Sequence, residues 1–125
     1  MAAPNIVNVA SIIGLTTFVS IANTNTYNVF LSSPNSSNEV YRVNSIIASN
    51  IDGNNNVDVT VSIFNSAAGA GTSTHIARAI TVAAKSSLVI LGKDTPIYLE
   101  EDKSLAALAS NANRCAIIAS YEKIS

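Results

Sequence analysis

Seven consecutive residues, Val57-Asp58-Val59-Thr60-Val61-Ser62-Ile63, alternate apolar and polar without a break. Successive side chains of an extended strand point to opposite faces. This run therefore turns Val57, Val59, Val61 and Ile63 one way, and Asp58, Thr60 and Ser62 toward solvent or a partner. A sheet with one buried face is the structure that uses such a pattern.

The same signature recurs along the chain. Residues 40–49 read as a longer strand, bulged near Ser45, and residues 51–56 (Ile-Asp-Gly-Asn-Asn-Asn) as a turn, because Gly and Asn tolerate positive φ. The two flanking strands are expected to form a hairpin. Ahead of them, strands fit at 6–9, 15–22 and 27–31, with a polar loop over 32–38. Downstream, the Ala- and Gly-rich stretch 66–72 reads as a flexible loop. A strand over 75–82, a turn at Ala84-Lys85-Ser86 and an apolar strand over 88–91 follow. Residues 97–99 start another strand, and Glu100-Glu101-Asp102-Lys103 reads as a solvated acidic turn. Strands over 104–110 and 114–121 close the chain. Residues 100–109 also have the acid-first pattern of a helix start; alternation of Leu105, Ala107 and Ala109 favours a strand.

About nine short antiparallel strands, with turn residues between them, predict an all-β fold. The expected architecture is a single-domain β-sandwich, Ig-like or jelly-roll-like, spanning residues 1–125, with residues 1–11 as an extended N-terminal arm. The Trp and Cys pair of a true immunoglobulin domain is absent. A chain of 125 residues buries a sufficient core without a staple. Its one cysteine, Cys115, lies in an apolar run and reads as a small buried hydrophobe.

Charged residues make up 12% of the chain, about half the usual share, and the formal net charge is −1. Mean hydropathy is +0.33, and the polar remainder is mostly neutral Asn, Ser and Thr. A free monomer normally keeps itself soluble with charge, so much of this surface is expected to meet other protein chains. The seven basic residues are scattered, which argues against nucleic-acid binding. No apolar run is long enough for a membrane-spanning helix. Residues 6–22 come nearest, but polar residues interrupt them and no positive leader precedes them, a poor signal peptide.

A search for chemistry predicts a protein that is not an enzyme and holds no cofactor or metal. His75 is the single histidine, which excludes sites built from several His ligands, and no Gly-x-Ser-x-Gly turn surrounds a serine. Asp52-Gly53-Asn54-Asn55-Asn56 has its glycine too early for a calcium loop, and Ile63 stands where the closing glutamate belongs. Gly69-Ala70-Gly71 leads into a strand, not the helix a phosphate cradle requires. The Asn35-Ser36-Ser37 sequon is expected by chance in so Asn- and Ser-rich a chain. Four scattered tyrosines and no tryptophan make a weak platform for sugar stacking.

Residues 41–53 (Tyr-Arg-Val-Asn-Ser-Ile-Ile-Ala-Ser-Asn-Ile-Asp-Gly), 57–61, 75–82, 88–91, 94–101 (Asp-Thr-Pro-Ile-Tyr-Leu-Glu-Glu) and the ending 120–125 (Ser-Tyr-Glu-Lys-Ile-Ser) form a familiar succession. Over residues 27–125 it resembles a family of small virion structural proteins of tailed bacteriophages, especially those of cyanobacteria and other marine bacteria. Members commonly carry Gly-Asp after the double acid, where this chain has Asp102-Lys103. The resemblance implies a non-enzymatic virion component, assembled in the host cytoplasm. Its first role would be a capsid decoration (cement) protein, its partner the major capsid protein or other virion proteins, as a homo-oligomer with a trimer favoured. A neck, tail or baseplate component is the alternative, and a receptor- or glycan-binding module the remoter one. Composition points to contacts through the arm over 2–11 (Ala2, Ala3, Pro4, Asn5), through Pro34 and Asn35, and through Gly69 and Gly71. An extended arm can add a strand to a neighbour's sheet, and many modest contacts add by multivalency.

Overall fold

The computed structural model describes residues 7, 9–22, 24–34, 38–92 and 94–125. Within them the alternating segments form nine strands: β1 (Ile12–Ser20), β2 (Asn28–Ser33), β3 (Val40–Asn50), β4 (Val57–Phe64), β5 (Ser73–Val82), β6 (Ser87–Leu91), β7 (Ile97–Leu99), β8 (Lys103–Ala109) and β9 (Cys115–Ile124). No helix among the described residues is long and apolar enough to cross a membrane.

The strands make two sheets, and every pairing is antiparallel. One runs β1-β9-β3-β6, with β7 also on β3, and the other runs β2-β8-β4-β5. Of the successive connections, only β4–β5 and β6–β7 stay within a sheet; each of the others crosses to the opposite one. That order is jelly-roll connectivity, so of the two sandwich types expected, the jelly roll is the one formed.

The core lies between the sheets. Val43, Ile46 and Ala48 of β3 and Ile117 and Ala119 of β9 meet Val57, Val59 and Val61 of β4 and Leu105 and Ala107 of β8. All are fully or almost fully buried, and each of the larger ones contributes about 1.5–3 kcal/mol on leaving water. Cys115 lies in the same core. β8 is buried on both faces, with Ala106 inaccessible on the side away from the core. A doubly buried strand loses its polar alternation, which is why residues 100–109 also read as a helix start.

Two expectations need correction. The strand over 6–9 does not form: Val7 lies in a turn and Val9 outside any strand, while Ile6 and Asn8 lie outside the described residues. Nor do β3 and β4 form a hairpin, since they belong to opposite sheets. Alternation says which face of each strand is buried, and these two bury their faces against each other. The linking residues 51–56 are held across the end of the sandwich by Asn50. Its amide donates to the carbonyls of Asn55 at 2.9 Å and Val82 at 3.0 Å. Its Oδ1 accepts the Asp52 N–H at 2.9 Å.

The bulge near Ser45 is present, as a register shift between Val43 and Ser45 against β9. The stretch 66–72 contains one 3₁₀ turn, Ala67–Gly69, with Ala68 at φ 59.

Candidate assembly face

The two sheets differ in what covers their outer surfaces. Over the sheet that contains β8, Ser104 Oγ accepts the Gly69 N–H at 2.8 Å and donates to the Ser66 carbonyl at 2.8 Å. Asp102 accepts the Ala67 N–H at 3.1 Å, and Ser32 Oγ accepts that of Ala68 at 3.0 Å. The supposedly flexible loop is therefore stapled down as a lid, because short side-chain oxygens satisfy its backbone amides.

No described segment covers the outer surface of the other sheet. Register places Phe18 of β1 opposite Ile118 of β9, Ile118 opposite Ile47 of β3, and Ile47 opposite Val89 of β6. Residues directly opposite share a face, so the four form one apolar row across the sheet. Phe18 is 78% exposed and Val89 62%. The rungs beside it hold Thr16, Ser120 and Ser45 on one side, and Ser20, Ala116, Ser49 and Ser87 on the other. None is charged. Charge enters two rungs from the row, where Arg42 pairs with Glu122 at 3.5 Å and Asn44 donates to the same carboxylate at 3.1 Å.

Among the described residues β1 is also an open edge, hydrogen-bonded to β9 alone. Its nine residues hold no charge and no proline, and its register against β9 is unbroken. Ile13 and Leu15, on the inner side, are 48% and 39% exposed. The other edges carry the usual protection against stray pairing. β5 is irregular at two places and bears Arg78, with Ala79 at φ 50. β2 is shorter and irregular beside Phe30. On the far side of β3 the edge is split into β6 and β7, five and three residues long.

The residues singled out in sequence are dispersed. Ala2, Ala3, Pro4, Asn5 and Asn35 lie outside the described residues, and Pro34 is exposed at the end of β2. Just ahead of β1 the N–H groups of Ala10 and Ser11 both donate to the Ser125 carbonyl, at 2.8 and 3.1 Å. Gly69 and Gly71 sit at φ 73 and 82, and a Cβ on Gly71 would collide with the Asn65 side chain. Their place in the lid follows from the tight backbone it needs.

The structure joins some chemical groups that sequence spacing left apart. Ser62 Oγ lies 2.8 Å from His75 Nδ1 and 3.0 Å from Tyr27 OH. Ser62 is fully buried, and its hydroxyl braces β4 against His75 of β5. The two oxygens of Asp52 are occupied by the Asn54 and Asn55 N–H groups, at 2.8 and 3.1 Å, and by Arg114 Nε at 3.0 Å. The Asn54 amide, foremost among these, holds the Asp52 carboxyl below its ordinary range. This arrangement makes residues 52–55 a self-capped turn. Burial pushes the Cys115 thiol up to about 11. The acidic turn is less solvated than expected: Glu101 is buried, and its two carboxylate oxygens have no hydrogen-bond partner among the described residues. An open recess of about 240 Å³ lies beside Thr24, Asp58, Thr60 and Ser110, below the usual size of a ligand pocket.

Phe18 and Val89 stand 71 positions apart in sequence; only the strand order brings them into one row, so no local signal reveals it.

No known protein family and no curated protein matches this chain. Among solved structures it is similar to a chain from work described as "Bacillus endospore appendages form a novel family of disulfide-linked pili". The TM-score is 0.53 and the identity 16%, over 92% of this chain and 88% of that one. The likeness is one of fold.

Proposed function

We propose that this protein is a non-enzymatic structural subunit of a larger particle, and specifically a virion protein of a tailed bacteriophage. One observation carries the assembly part: the exposed row Phe18, Ile118, Ile47 and Val89, with uncharged residues in the rungs on either side of it. Exposed apolar patches rimmed by neutral groups mark protein–protein contacts. The virion part is supported by the sequence resemblance over residues 27–125. Within a virion, decoration of the capsid lattice is the leading role, with the neck or tail as the alternative.

Copy number in purified particles tests this reading. On the order of hundreds of copies fits a lattice protein, and about six or twelve fits a symmetric ring. Absence from particles produced by cells that express the protein would overturn the virion assignment.

The fold likeness favours a second reading, a filament subunit. The matched appendages are described as disulfide-linked, whereas the one cysteine here is buried. A filament of this chain would be held by non-covalent contacts. Electron microscopy of the purified protein under reducing conditions distinguishes filaments from closed oligomers.

A further inference from the structure

We infer that β1 pairs antiparallel with β1 of a second copy of this chain, about a two-fold axis through Thr16. This deepens the assembly reading above by naming a partner, a second copy of the chain.

The hydrogen bonds of β1 fix which groups are free. Ser11 and Ser125 exchange both backbone bonds, at 3.1 and 3.0 Å, and the Ile21 N–H donates to Cys115 at 2.9 Å. In a regular antiparallel ladder, bonded residues alternate with unbonded ones. Residues 11, 13, 15, 17, 19 and 21 thus face β9. Ile12, Gly14, Thr16, Phe18 and Ser20 aim their N–H and C=O groups out of the open edge.

A second β1 centred on Thr16 sets Ile12 opposite Ser20, Gly14 opposite Phe18, and Thr16 opposite itself. Every outward residue then meets an outward residue, and each opposed pair can exchange two backbone bonds. The side chains are equally self-complementary. Nothing lies within 4 Å of a Cβ built on Gly14, and Phe18, exposed on the same face, arrives directly across from that gap. An aromatic ring covering a cross-strand glycine is a known stabilising device in sheets. On the inner face, Ile13 meets Val19 and Leu15 meets Thr17, which closes apolar surface now open to water.

Charge points to a copy of the same chain as well. The strand carries none, and two copies at formal net −1 repel little. Pairing β1 with the β6 edge would use at most five residues, against nine for the self-pairing. A two-fold contact is also isologous and closed, so it does not run on into a fibre.

The test is sedimentation velocity on the full chain at about 100 µM, a concentration suited to micromolar affinity. The wild type is expected at twice the 13.0 kDa chain mass. Thr16→Lys and Thr16→Glu each place like charges opposite one another, and each should weaken the dimer on the order of tenfold or more. Mixing the two variants should restore it, because Lys then faces Glu. Thr16 is exposed, and unchanged far-UV circular dichroism would show that both variants fold. Val89→Lys, on the far edge of the same face, should leave the dimer intact.

A wild type that stays monomeric at about 1 mM, or that forms trimers or open polymers, overturns the proposal. So does a dimer that survives both Thr16 substitutions. Loss of association in Val89→Lys alone would also overturn the edge pairing, while leaving the assembly-face reading in place.

Discussion

Asn50→Leu isolates the device that carries the chain from one sheet to the other. Asn50 is 2% exposed and makes three side-chain bonds, to Asn55, Val82 and Asp52. Leucine has a similar volume and can make none of them. Three net hydrogen bonds at about 1 kcal/mol each give about 3 kcal/mol. The Val82 carbonyl lies in the buried part of this network and loses a partner, adding about 1–2 kcal/mol. The Asn55 carbonyl and Asp52 amide are only part-buried, so water replaces their bonds at smaller cost. Burial of the leucine methyls offsets about 1–2 kcal/mol. The net loss is about 3 kcal/mol. An unfolding entropy of about 2.1 cal/mol/K per residue converts this to a fall in Tm of roughly 11 °C. Differential scanning calorimetry reads that directly. The control is Asn55→Ala, because Asn55 receives the bond through its main chain; its Tm should fall by no more than about 2 °C. If Asn50→Leu shifts Tm by less than about 3 °C, the claim that this side chain secures the crossover is wrong.

Two further outcomes follow from groups described above. At pH 8 a water-soluble maleimide should leave native protein unlabelled over hours and modify one thiol per chain in denaturant, since burial both shields Cys115 and raises its pKa to about 11; fast native labelling would contradict the packing of β9. The folded Asp52 carboxyl has a lowered pKa, so its stabilisation is present above the unfolded value and lost as pH falls through the folded one. Thermal melts of Asp52→Asn should therefore show a shallower loss of stability below about pH 4 than the wild type, and parallel acid profiles would exclude this role.

Strand positions were legible in the sequence because alternation is a local property. Residues 97–99 are a strand in both readings, and the ends of β4, β5 and β6 lie within two residues of expectation. Partner choice was not legible. The segments over 40–49 and 57–63 each show a buried face, but nothing local says whether two such faces lie side by side or opposite, and the Asn50 contacts that decide it reach 32 residues away to Val82. Exposure at Phe18 was hidden for a related reason, since an apolar residue on an edge strand has the same sequence pattern as one in a core. Loop composition misled in the other direction: Ala and Gly over 66–72 suggested flexibility, while the restraint comes from oxygens on Ser32, Asp102 and Ser104.

The pairing of β1 with β9 has a consequence for biosynthesis. Ile12 lies opposite Ile124, so β1 leaves the ribosome well before β9 and waits for it before it gains its ladder. Until β9 is made, this uncharged, proline-free strand has no partner among the described strands, and contacts so distant in sequence close slowly. Such a segment is open to capture by other nascent chains. Rapid expression at high temperature should therefore favour inclusion bodies, and slower synthesis should favour soluble protein, even though the finished sandwich is unchanged.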